Sequence, residues 1–136
     1  MNKTVKKANF LAIMSAMLLT GCATGAVKTG WVSSSHDQEM QATYSTFSGT
    51  ETGYPFSVEN GQTIALAYEV NMEKGNLTIA VEELNGESLW TKESTSEDGT
   101  LRENVQIPTS GDSRYRISVR GADAGGGYHI QWSLDG

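Results

Sequence analysis

From about residue 40 onward, apolar and polar positions alternate in twos. Ile64, Leu66, Tyr68 and Val70 alternate with Thr63, Ala65, Ala67 and Glu69; Leu77, Ile79 and Val81 alternate with Thr78, Ala80 and Glu82. Leu101, Val105 and Ile107 share one parity, with Glu103 as the exception, and Tyr115, Ile117 and Val119 alternate with Arg114, Arg116, Ser118 and Arg120. Tyr128, Ile130, Trp132 and Leu134 close the series against His129, Gln131 and Ser133. Period two is the mark of extended strands with one buried face. No window after residue 22 shows an apolar stripe at helical spacing, so helix is expected to be absent or minor.

The gaps between these runs carry turn chemistry: Asn60-Gly61, Lys74-Gly75-Asn76, Asn85-Gly86, Asp98-Gly99, Ser110-Gly111-Asp112 and Gly125-Gly126-Gly127. Glycine and asparagine tolerate the positive φ that tight turns need. Asn85-Gly86 is expected to form a two-residue type I′ turn that pairs Leu84 with Glu87 and sets Trp90 opposite Val81 on the inner face. Seven to eight short strands at this spacing predict an all-β, antiparallel β-sandwich, jelly-roll-like, over residues 39–136, with a closed barrel as the alternative.

The amino end follows another pattern. Lys3, Lys6 and Lys7 precede Phe10–Leu19, an apolar stretch broken only by Ser15. That stretch is about half of the roughly 20 apolar residues a membrane-crossing helix needs, and it reads as an export signal. The next four residues, Leu19-Thr20-Gly21-Cys22, resemble the lipobox of prokaryotic lipoproteins. The resemblance implies a signal peptide at 1–21, a diacylglycerol on the Cys22 sulfur, and a Cys22 amine free for a further fatty acid such as palmitate. Each buried acyl CH₂ contributes roughly 0.8 kcal/mol, so two or three chains would anchor the domain to the membrane without spanning it. Ala23 stands where lipoproteins held on the inner membrane of two-membrane bacteria typically carry Asp, which implies the outer membrane in such a host. Residues 22–38, rich in Gly and Ser, are expected to be a flexible tether reaching roughly 20 Å, with Trp31 and Val32 docking back on the domain or, as the alternative, sitting at the membrane interface.

Charge changes the picture of partners. Of ten Lys and Arg, three lie in the leader, and no Asp or Glu precedes Asp37, so the processed chain keeps seven basic against sixteen acidic residues and moves from a formal −6 to −9. Such a surface repels phosphate backbones, which argues against nucleic acid. Cys22 is the one cysteine, so no intramolecular disulfide can form.

The chemistry-bearing motifs are few. There is no Gly-x-Ser-x-Gly elbow, no His-Glu-x-x-His pair and no phosphate-binding loop. His36 and His129 are the two histidines. No catalytic set, metal site or cofactor is therefore expected, although Glu97 and Asp98 with Asp112 or Asp123 resemble a weak calcium loop in composition alone. The most distinctive exposed set is Arg114, Arg116 and Arg120, joined by His129 and Gln131 on the matching polar side of an expected adjacent strand. As a patch these could hold a carboxylate or sulfate bidentately; the plainer alternative is that the arginines neutralise glutamates such as Glu82 or Glu69 across strands. Trp31, Tyr44, Phe47 and Tyr54 are the aromatic residues left as candidates for an exposed platform.

The order Phe56-Ser57-Val58-Glu59-Asn60-Gly61-Gln62, then Gly75-Asn76-Leu77-Thr78-Ile79, Tyr115-Arg116-Ile117-Ser118-Val119 and Gly127-Tyr128-His129-Ile130 resembles the bacterial pre-peptidase C-terminal type of β-sandwich. That likeness, over about residues 52–134, implies a non-catalytic accessory module. The expectation is a non-enzymatic, lipid-anchored envelope protein outside the cytoplasmic membrane that binds a glycan, peptide or protein. A surface lipoprotein without a specific ligand is the alternative, and a small hydrolase comes third.

Overall fold

The computed structural model describes residues 27–136, so the leader, the lipobox and Cys22 lie outside the described residues. Eight strands form: β1 (Val27–Thr29), β2 (Val32–His36), β3 (Glu39–Thr52), β4 (Phe56–Val58), β5 (Thr63–Glu83), β6 (Ser88–Thr95), β7 (Thr100–Pro108) and β8 (Ser113–Asp135). One 3₁₀ turn, Ser96–Asp98, joins β6 to β7. All pairings are antiparallel, and they link the strands into one sheet of eight.

Three strands, β3, β5 and β8, are far longer than the alternation alone implies, because each runs through both layers of the fold. In the first half-sheet, the start of β3, the end of β8 and the start of β5 lie side by side, edged by β2 and β7. In the second, the end of β3, the start of β8 and the end of β5 lie together, edged by β1 and β6, with β4 beside the start of β8. The register slips where the strands pass from one half to the other, between Tyr44 and Phe47 in β3 and between Met72 and Asn76 in β5. Such irregularities bend a strand and sharpen its twist. The sheet thereby folds on itself as an antiparallel sandwich of jelly-roll type.

The corner explains two glycine runs that the sequence presents as turns. Lys74-Gly75-Asn76 lies inside β5 and Gly125-Gly126-Gly127 inside β8, as bends in continuous strands. Gly126 has φ +126°, and a Cβ there would sit 1.9 Å from the Asn71 carbonyl oxygen. Only glycine lets β8 and β5 approach this closely.

The inward side chains of both halves make one core, from Met40, Tyr44 and Phe47 through Ile64–Met72, Leu77–Val81 and Tyr115–Val119 to Tyr128–Trp132. Rings from opposite layers meet across it: Phe56 and Trp132 at 5.9 Å between centroids, Tyr68 and Trp90 at 5.8 Å. Glu103, the break in the alternation of β7, sits on an edge strand and accepts the Tyr68 hydroxyl. An inward-pointing charge of this kind discourages edge-to-edge pairing.

Three expectations need correction. Residues 27–36 belong to the sheet as β1 and β2 rather than to a tether over 22–38, and the folded domain begins well before residue 39. Edge strands can be polar on both faces, which is why the Ser-rich Val32–His36 resembles a linker. Trp31 does dock, stacking on Tyr44 at 5.5 Å, whereas Val32 is 70% exposed. The Asn85-Gly86 hairpin is a three-residue loop: Glu83 and Glu87 close it, with positive φ at Gly86 and not at Asn85. A register shift beyond Glu82 then restores the expected Val81–Trp90 pair. Tyr44 and Phe47 are core residues, at 6% and 0% exposure, and Tyr54 is the ring of that group that faces solvent.

Candidate ligand-binding face

Because the inward sides of both halves are spent on the core, the outward side chains form two separate faces. On the first half, the registers line up rows that cross all five strands. One row runs Ser34, Gln41, His129, Glu69, Arg102; the next runs His36, Glu39, Gln131, Ala67, Asn104. Beyond them, Thr43, Gly127, Asn71 and Thr100 flank one side, and Ser133, Ala65 and Gln106 the other.

Small residues at the centre and longer ones at the flanks hollow this face. Gly127, Ala67 and Ala65 sit on the central strands, and three open hollows follow one another across them. The first lies over Gln41, Thr43, Asn71 and Gly127, the second over Ala65, Ala67, Asn104 and Gln131, and the third between them beside Glu69, Arg102 and His129. Amides, hydroxyls, carboxylates and imidazoles thus line a trough with no large apolar side chain outward on its central strands.

The polar groups hold one another in place. His129 Nε2 donates to Glu39 Oε2 at 2.5 Å, and Gln131 Nε2 donates to the same oxygen at 3.0 Å. These two hydrogen bonds, His129 first, hold the Glu39 carboxyl below its ordinary range by favouring the ionised form. Arg102 donates from Nε at 2.6 Å and from Nη2 to Glu69 Oε2, and Gln41 Nε2 donates to Ser34 Oγ at 3.0 Å. Exposed pairs of this kind add little to stability, so their consequence is side-chain order more than fold strength.

The second outer face is built differently. Its rows are Thr50, Arg120, Thr78, Glu93 and Thr52, Ser118, Ala80, Thr91, with Arg116 opposite Glu82 and Arg114 opposite Ser57. Here the outward small residues are covered: Ala80 and Ser118 are 8% and 5% exposed. Arg116 Nε donates to Glu82 Oε1 at 2.8 Å, as the plainer reading of the arginines expects, while Glu69 is taken by Arg102 instead. Arg114 and Arg120 are exposed and have no acidic partner among the described residues.

The five-residue patch is therefore not assembled. Arg114, Arg116 and Arg120 lie on the second face and His129 and Gln131 on the first, because β8 passes the corner between residues 120 and 127. The outward positions of β8 are even before the corner and odd after it, because the register shifts there, and the folded sheet turns its outward side into two opposite surfaces. Sequence reasoning missed Gln41, Glu39, Glu69, Asn71 and Asn104; what could have found them is cross-strand register around the small residues 65, 67 and 127.

The acidic residues considered for calcium stand apart. Asp98 accepts from Thr95 N at 2.8 Å, Asp112 from Asn60 N at 2.7 Å, and Asp123 faces Lys74 at 3.7 Å. No group of three potential metal ligands occurs among the described residues.

No family model matches the chain, and no curated protein matches it. Among solved structures, one described as "CBM4 structure and function" is similar at a TM-score of 0.51 and 7% identity, over 79% of this chain and 78% of its own. A carbohydrate binding module (CBM6cm-2) of lichenase 5A from Cellvibrio mixtus, in complex with cellotriose, gives 0.48 at 15% identity, over 83% and 90%. The C-terminal CBM6 of a marine laminarinase from Zobellia galactanivorans gives 0.48 at 11% identity, over 82% and 89%. The first of these shows a shared β-sandwich fold.

Proposed function

We propose that this protein is a non-enzymatic, lipid-anchored module of the cell envelope whose first outer face binds a glycan chain. The observation that carries the reading is the trough itself: rows of amide, hydroxyl and carboxylate groups, already ordered by mutual hydrogen bonds, over a floor of Gly127, Ala67 and Ala65. A sugar chain presents hydroxyls that both donate and accept, and such groups reward a site whose partners are fixed beforehand. The length of the trough, three hollows in succession, suits an extended chain better than a compact small molecule.

The shared fold with a carbohydrate-binding module is compatible with this use, as is the accessory role implied by the likeness to pre-peptidase C-terminal modules. The lipid on Cys22, the lipobox cleavage and the placement outside the cytoplasmic membrane, on the outer membrane in a two-membrane host, complete the proposal. They rest on Leu19–Cys22.

Affinity measurements on the intact lipoprotein in detergent, against a panel of soluble oligosaccharides and envelope polysaccharides, test the reading. Binding that Gln131→Ala and Gln41→Ala each weaken supports it; no binding to any glycan, or binding indifferent to both substitutions, overturns it.

A further inference from the structure

We infer that the second outer face rests on the lipid headgroups of the leaflet that holds the anchor, leaving the trough on the first face turned away from the membrane. This inference goes beyond the glycan reading and rests on the proposed lipid at Cys22. Four observations converge on it.

The first is reach. Strand β1 begins at Val27, so five residue steps separate Cys22 from the sheet, and a fully extended chain spans at most about 18 Å over that distance. The domain is held against the bilayer instead of being lifted from it. The second is direction. β1 runs antiparallel to the end of β3, Val27 opposite Ser48, so the chain enters along the edge of the second half from the end where Thr52 lies. Tyr54 follows that end of β3, and Leu84 lies there as well, its backbone N–H donating to the Arg114 carbonyl.

The third is charge. In a chain this acidic, the second face sets Arg114, Arg116 and Arg120 against Glu82 and Glu93, with Arg114 and Arg120 free of acidic partners among the described residues. The first face sets Glu39 and Glu69 against Arg102 and His129, and Glu73 lines its first hollow. Phosphate headgroups therefore repel the first face and meet free guanidinium groups on the second. The fourth is apolar exposure. Of the five exposed large apolar side chains among the described residues, Val27, Tyr54, Leu84 and Leu89 belong to the second half or its rim, and Val32 to the first. Leucine and tyrosine beside arginine are the residues that settle at a headgroup boundary.

The test uses the full lipoprotein, purified from membranes and reconstituted into phosphatidylethanolamine–phosphatidylglycerol vesicles. With Cys22 blocked by lipid, one introduced cysteine is the sole free thiol. Thr50→Cys reports on the second face and Gln106→Cys on the first, each carrying a fluorophore exposed to a water-soluble quencher. The inference expects quenching at Thr50→Cys to fall several-fold on vesicles relative to detergent, quenching at Gln106→Cys to stay unchanged, and Arg114→Gln with Arg120→Gln to restore quenching at Thr50→Cys while the protein stays vesicle-bound. Equal quenching at both sites, or protection of Gln106→Cys, overturns it. Mass spectrometry of the same preparation separates the causes: a Cys22 without lipid refutes the anchor and the orientation together, whereas a lipidated protein with both faces wet refutes the orientation alone.

Discussion

The two outer faces of this sandwich are made from the same three strands, β3, β5 and β8, and differ in what stands between their long side chains. On the first, Gly127, Ala67 and Ala65 leave a trough whose flanks are amides and carboxylates in fixed hydrogen bonds. On the second, Ala80 and Ser118 lie buried between the row of Arg116 and Glu82 and the row of Arg120 and Thr78. Small residues make a cleft only where the longer side chains beside them leave the floor open; on the second face those side chains close over them. The same backbone thus offers one surface suited to hydrogen-bonding a chain of hydroxyls and another suited to lying against something flat and anionic.

The division depends on the corner, and breaking the corner should have the largest effect. Phe47, fully buried where β3 turns, packs against Trp31 and Tyr44 at 5.0 and 5.4 Å between centroids. Phe47→Ala is expected to cost about 3–5 kcal/mol in urea unfolding. Gly126→Ala, which forces a side chain onto the Asn71 carbonyl at positive φ, should cost about 3 kcal/mol by the same measurement. If either proves nearly silent, the two faces are not held apart by the corner.

Sharpening the comparison at the faces themselves involves smaller energies. Gln131→Ala removes one ordered hydrogen-bonding group from the trough and should weaken glycan binding about tenfold, near 1.4 kcal/mol, in calorimetric titration. Arg116→Ala on the other face should leave that affinity unchanged and lower stability by less than about 1 kcal/mol, since its ion pair with Glu82 is partly exposed. The pH response follows Glu39: its carboxyl titrates below the ordinary 4.5, so its contribution is complete above that value and is lost as pH falls through the lowered one. Glu39→Gln should flatten this acid limb of the stability curve, a slight effect read by thermal unfolding between neutral and acid pH.

Much of this fold is legible in the sequence, and the reasons are specific. Ile64 through Val70 and Tyr128 through Trp132 declare their buried side because a core-facing strand must alternate. Trp90 opposite Val81 follows from the hairpin glycine even though the loop is one residue longer than expected. Strand continuity is not legible: a glycine that lets a strand bend and one that ends it look alike, and Gly75 and Gly126 do the former. β2 is hidden for a different reason, since Ser33, Ser34 and Ser35 carry no apolar alternation of their own to betray a sheet edge. The site suffers from both. Arg120 and His129 each alternate with buried neighbours yet face opposite ways across the corner, and Gln41 and Asn104 become neighbours of the trough only through register, which local alternation does not encode.

The most direct test of the central contrast is a residue-resolved map of ligand contact: backbone amide shifts recorded by NMR on titration with the glycan that binds best. The account expects the shifts to concentrate at Gln41, Glu69, Asn104, His129 and Gln131, with Arg114, Arg116 and Arg120 unmoved. Shifts centred on the three arginines, or spread evenly over both faces, would contradict it.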